Sequence, residues 1–164
     1  MAKITNIPDT DNVLRYAKKT HLAWELDLNG NPVKVTGCFP DLFKLRDNPD
    51  FNKNHGGPEK YLSINWVEFF EGDEECRLQQ TVNDFRSSRK IKKSDAFAKL
   101  NAGEFKSVCM ARAAKVRIIH DAKESLRNKS HGRITQLPQD DALLFDDLCE
   151  MALNALIPVS RFIT

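Results

Sequence analysis

Apolar and polar positions along this chain predict short strands interleaved with helices. Over residues 22–28, Leu22, Trp24, Leu26 and Leu28 alternate with Ala23, Glu25 and Asp27, the period of a half-buried strand. Asn29-Gly30 follows, a pair suited to a type I′ turn because both residues tolerate positive φ, and Val33 and Val35 then alternate with Lys34 and Thr36. The stretch reads as a β-hairpin. Pro32 has no N–H to donate, so the return strand starts there or lies at a sheet edge. Residues 61–70, YLSINWVEFF, are aromatic and β-branched and apolar on both faces, as a central strand would be. Further strands are expected over 96–100, 116–120 and 131–137.

Four helices are expected. Asp9 and Asp11 precede Val13, Leu14 and Ala17, with Lys18-Lys19 at the end, so acids come first and bases last, as the helix dipole favours. Gly72-Asp73 opens a second helix with the stripe Leu78, Val82, Phe85. Asn101 with Glu104 resembles a capping box for a third, continued by Phe105, Val108 and Cys109. Asp140 caps the last, through Leu144, Leu148, Met151 and Ala155, stopped before Pro158. Strands and helices do not alternate regularly enough for a doubly wound parallel sheet. The expected fold is therefore α+β: a single domain over residues 1–164, with an antiparallel or mixed sheet of four to six strands and about four helices. Residues 47–60, rich in Asn, Asp, Gly and Pro, read as a long surface loop.

Composition narrows the class. With 164 residues and 41% hydrophobic content, the chain buries a sufficient core without disulfides or metal. Cys38, Cys76, Cys109 and Cys149 are widely spaced with no C-x-x-C pair, and read as free thiols in a reducing compartment. The first residues hold no apolar signal core, and no apolar run approaches the roughly 20 residues of a membrane span. A cytoplasmic protein with no membrane partner is expected.

Charge changes the picture more. Residues 86–133 hold fourteen lysines and arginines against four acids (Asp95, Glu104, Asp121, Glu124), a local balance of +10 in a chain whose total is +2. Local potential, not net charge, selects anionic partners. The densest run is Arg86, Arg89, Lys90, Lys92 and Lys93, with Lys129 and Arg133 further on. Only Phe97 and Phe105 lie inside the segment, a poor supply of rings for a stacking platform. The opposing reading is internal matching: Asp140, Asp141, Asp146, Asp147 and Glu150 give the C-terminal helix an acidic face that would sit beside the basic surface, in the same molecule or in a second copy.

His120 and His131 are the candidate catalytic residues. If strands 116–120 and 131–137 pair antiparallel, the two rings would meet at the mouth of their connection beside Asp121, Lys129 and Arg133. Two imidazoles beside phosphate-holding cations would suit metal-independent cleavage of RNA. A one-residue slip would send one ring to the other face. His120, Asp121 and His131 match no zinc spacing, so no metal is expected, and no cofactor motif is present. Glu68, beside Trp66, Phe69 and Phe70, reads as a general acid if buried and as a strand-end cap otherwise.

Three stretches carry a resemblance: Leu62-Ser63-Ile64-Asn65-Trp66-Val67-Glu68, Ile119-His120-Asp121 and Ser130-His131-Gly132-Arg133-Ile134. Together they resemble a loose group of small uncharacterised bacterial proteins. That resemblance carries no activity across and implies an accessory role, as a subunit of a bacterial multi-component system. The expected function is non-enzymatic binding of an anionic partner, nucleic acid or an acidic protein surface, through the basic segment. The alternatives are a ribonuclease built on His120 and His131, and self-association through the acidic C-terminal helix.

Overall fold

A computed structural model describes residues 5–45, 60–122 and 127–163. Strands β1 (Thr5–Asn6), β2 (Asn12–Ala17), β3 (Leu22–Leu26), β4 (Pro32–Cys38) and β5 (Tyr61–Trp66) precede helix α1 (Glu74–Arg86). Strand β6 (Ala96–Asn101), helix α2 (Ala102–Met110), β7 (Arg117–His120), β8 (His131–Thr135), helix α3 (Ala142–Leu153) and β9 (Leu156–Pro158) complete the order. Seven strands form one sheet, β1-β7-β8-β5-β2-β6-β9, every neighbouring pair antiparallel; β3 and β4 form a separate hairpin.

The α+β class stands; the described residues form nine strands and three helices, against the four to six strands and about four helices expected. Residues 12–17 are the sharpest correction. They form strand β2, between β5 and β6, not a helix. Val13, Leu14, Tyr16 and Ala17 are each at most 9% exposed, so both faces of the strand are covered. A short apolar run buried on both sides has no period to separate strand from helix. The two-residue β1 and three-residue β9 are too short to show any alternation.

The hairpin forms, with a different turn. Gly30 N–H donates to the Asp27 carbonyl and Asp27 N–H to the Asn31 carbonyl. In this pair only Gly30 has positive φ, at 82°. A type I turn followed by a left-handed glycine has this pattern, whereas type I′ needs both residues left-handed. The cap of α3 is likewise Asp141 rather than Asp140, its side chain accepting from Leu144 N–H at 3.0 Å. Asn101 does cap α2, through Glu104 N–H at 2.9 Å.

Each sheet face has its own core. Val13, Leu62, Ile64, Ala98, Leu100, Ile118 and Ile134 pack with residues of α2, α3 and the hairpin. Leu14, Tyr16 and Phe97 face the opposite way and pack under Leu78, Val82 and Phe85 of α1. Gly132 of β8 marks a close approach, since a Cβ there would lie 2.5 Å from the Ile119 carbonyl oxygen. All four cysteines are free thiols, and burial pushes the Cys109 thiol up to about 12. Among the described residues no helix is long and apolar enough to cross a membrane. Most of the loop expected at 47–60 lies outside the described residues, as does Lys123.

Candidate functional site

The far end of α1 organises the cationic surface. Asp73 caps the helix start by accepting from Cys76 N–H at 2.8 Å. At the other end the N–H groups of Ser87, Ser88 and Arg89 close back onto the carbonyls of Asn83, Asp84 and Phe85. Closing those carbonyls satisfies acceptors that a helix end otherwise leaves open. The chain then runs out through exposed Arg86, Arg89, Lys90, Lys92 and Lys93 before re-entering the sheet at β6.

Asp95 anchors that re-entry. It is 6% exposed, accepts from the Tyr16 hydroxyl, and accepts from Lys19 N–H at 2.7 Å. Burial, and then the Asp95 hydrogen bond, push the Tyr16 phenol up to about 12. The same contacts fix the turn after β2, so exposed Lys18 and Lys19 line one hollow with Lys90 and Lys92.

On the other side of the α1 terminus lies the segment 127–131. Asp84 accepts from Lys129 N–H at 3.1 Å, Ser130 N–H at 2.8 Å and the Ser130 hydroxyl at 2.5 Å. The Asn65 amide donates to Asn128 Oδ1 at 2.6 Å and to Ser130 Oγ at 2.8 Å, and Ser130 accepts from Trp66 N–H at 2.8 Å. The Ser87 hydroxyl donates to the Arg127 carbonyl at 3.1 Å. Arg127 itself sits at φ 56°, a left-handed backbone that costs an L-residue about 1–2 kcal/mol. Several residues that carry the resemblance thus hold this segment in place.

Three hollows adjoin along this surface. Lys90 lines both the Lys18–Lys19 hollow and one formed by Arg86, Ser87 and Arg89; Ser87 in turn lines a larger cavity with Arg127 and Lys129. Among the described residues eight exposed cations border the three: Lys18, Lys19, Arg86, Arg89, Lys90, Lys92, Arg127 and Lys129. Among the described residues the lining carboxylates are Asp84 and Asp95, both already engaged in the hydrogen bonds above. Lys93 is exposed beside Lys92.

Other members of the basic segment are matched internally. Lys99 pairs with Glu74, Lys106 with Asp9, and Arg112 with Asp147 of the acidic helix. Arg133, expected to bind the partner, instead faces Asp121 at 3.3 Å and lies over the Tyr61 ring at 5.1 Å. Register sets this: Arg133 lies opposite Ser63 of β5 and so shares a sheet face with Tyr61, two residues away.

The histidine couple is not assembled. β7 and β8 do pair antiparallel, but the register sets His120 opposite Gly132. Directly paired residues share a face, so His131, one residue along, projects from the other. His131 is 3% exposed, and its Nδ1 donates to the Asp121 carbonyl at 2.8 Å. Its ring holds the ends of the β7–β8 connection together, away from any phosphodiester in solvent. His120 lies at the larger cavity, and its Nε2 donates to the Lys129 carbonyl at 2.8 Å. Glu68 serves as a cap, accepting from the Asn12 N–H at 2.5 Å and from the Asn12 side chain at 3.3 Å. Among the described residues no group of three His, Cys, Asp or Glu is placed to hold a metal ion.

Sequence reading missed Lys18, Lys19, Phe69 and Phe70. Lys18 lies 72 residues before Lys90, its neighbour in the hollow, and the mistaken helix at 9–19 assigned both lysines to the dipole. Phe69 and Phe70 lie beyond the end of β5, where the 3₁₀ turn Val67–Phe69 swings the chain toward α1. No family model, curated protein or solved structure matches this chain.

Proposed function

We propose that this protein binds nucleic acid through the cationic seam formed by Lys18, Lys19, Arg86, Arg89, Lys90, Lys92, Lys93, Arg127 and Lys129. One observation carries the reading. Cations from three separate parts of the chain border adjoining hollows in which the only lining carboxylates, among the described residues, are occupied by internal hydrogen bonds. Lysine and arginine side chains so arranged neutralise successive phosphates and release counterions. On this reading the surface binds its partner, and His120 and His131, which project from opposite faces of the sheet, do not form a couple.

The test is fluorescence anisotropy with a labelled oligonucleotide of about 20 nucleotides over a salt series. Binding should weaken with a log–log slope of about −3, corresponding to about four phosphate contacts on a single strand. Lys90→Glu/Lys92→Glu/Lys93→Glu should reduce affinity at least about a hundredfold at low salt. Absence of binding by the wild type at low salt would refute the proposal. If polyglutamate competes as well as the oligonucleotide of equal charge, the partner is an acidic protein surface instead.

A further inference from the structure

The larger cavity differs in character from the two hollows beside it. Its volume is about 920 Å³, within the range of small-molecule sites. Phe69, Phe70 and His120 supply one wall. Phe69 is 37% exposed and lies in a cluster of rings, so its exposure belongs to an aromatic patch rather than to a lone side chain. Its ring lies 5.1 Å from His120 at an interplanar angle of 33°, 5.2 Å from Phe70 edge-on, and 6.0 Å from Trp66. The wall is therefore a contiguous aromatic cluster that includes the partly exposed Phe69.

Polar groups flank that wall on two sides. Asn83 of α1 lines the cavity, and its side-chain oxygen already accepts from Gln79 at 3.0 Å, leaving its NH2 to offer. Arg127 and Lys129 stand at the other side, fixed by Ser87, Asp84 and the His120–Lys129 hydrogen bond. Aromatic surface, an amide donor and adjacent cations are what a nucleotide presents surfaces for: a π face, a hydrogen-bonding edge and a phosphate.

We infer that this cavity holds one unstacked base of a nucleic-acid strand whose phosphates run along the seam, so that the protein selects single strands over duplexes. The inference rests on the nucleic-acid reading above. It adds the substrate class. A paired base cannot leave its helix to lie on Phe69 without loss of stacking, so a duplex engages the cations alone. The continuity between cavity and seam through Ser87 lets one strand use both.

The experiment compares a single-stranded RNA and a duplex of equal length as probes, at one salt concentration, against wild type, Phe69→Ala, Phe69→Trp and the triple lysine reversal. A fluorescent base analogue in the single strand reports stacking directly. Wild type should prefer the single strand by about tenfold or more, with the analogue quenched on binding. Phe69→Ala should abolish both the preference and the quenching while leaving duplex affinity unchanged, and Phe69→Trp should retain both. Equal affinity of wild type for the two probes, or a preference that survives Phe69→Ala, overturns the base pocket. In that event, loss of both probes on lysine reversal still upholds the seam. If wild type binds neither probe, both readings fall together.

Discussion

Residues 86–93 and residues 99–117 each contribute five lysines and arginines, yet the fold treats them differently. In the second stretch Lys99, Lys106 and Arg112 meet carboxylates from α1, from the turn before β2 and from α3. Lys99 holds the Glu74 carboxyl below the usual carboxylate range. In the first stretch all five side chains are exposed, Arg86 on the last turn of α1 and the other four on the connector beyond it. Elements packed side by side bring their flanking charges together, whereas a connector projects past them. Charge density along a chain is therefore a poor guide to charge density on a surface until the elements are placed.

The largest expected separation is between substitutions in these two stretches. Reversing Lys90, Lys92 and Lys93 should cost at least about a hundredfold in nucleic-acid affinity and flatten the salt slope by about 2. Lys99→Gln/Lys106→Gln/Arg112→Gln should change affinity less than about twofold and stability by roughly 1 kcal/mol or less per exposed pair. A comparable loss from both sets in the same anisotropy titration would erase the distinction.

Asp84→Ala should sharpen it from the structural side. Removal of this carboxylate leaves Lys129 N–H and Ser130 N–H without their acceptor, at a cost of about 1–3 kcal/mol in urea unfolding. Affinity should fall with it, because Arg127 and Lys129 lose their footing against α1. Full retention of both properties would show that the 127–131 segment is positioned by something else.

Arg127→Gly should separate stability from binding. Glycine relieves the left-handed backbone, so the thermal midpoint should equal or exceed that of wild type, while affinity drops about threefold for one lost phosphate contact. A lowered midpoint would contradict the assignment of strain to this residue.

The smallest effect concerns Tyr16. Its phenol is raised to about 12 in the folded chain against 10.0 for the free group, so the folded state holds the proton more tightly. The associated stability is complete below pH 10.0 and is lost as pH climbs toward about 12. Stability of wild type should therefore decline through that window more steeply than that of Tyr16→Phe, measured by circular dichroism against pH. Parallel curves would remove Tyr16 from the account.

Much of the architecture was readable in the chain because it rests on local rules. The hairpin at 22–38, the cap at Asp73, the Asn101 cap and the apolar stripe of α1 all declare themselves within a few residues. β2 did not, because burial on both faces removes the alternation that identifies a strand. The site was half legible. The lysine run of 86–93 stands out at once. Lys18 and Lys19 join it only through Asp95 and Tyr16, a contact across 79 residues of sequence. The His120–His131 proximity failed for a reason the sequence could not resolve. It depends on a register, and the close approach at Gly132 fixes that register at a position that puts the rings on opposite faces.

Lysine footprinting tests the central claim most directly, since one experiment reads both stretches at once. The protein would be acetylated under limiting reagent with and without single-stranded RNA, and each lysine quantified by mass spectrometry. Protection confined to Lys18, Lys19, Lys90, Lys92, Lys93 and Lys129, with exposed Lys115 reacting equally in both samples, is the predicted result. Protection of Lys115 to the same degree as the seam lysines, or no protection at Lys90 and Lys92, would contradict the account.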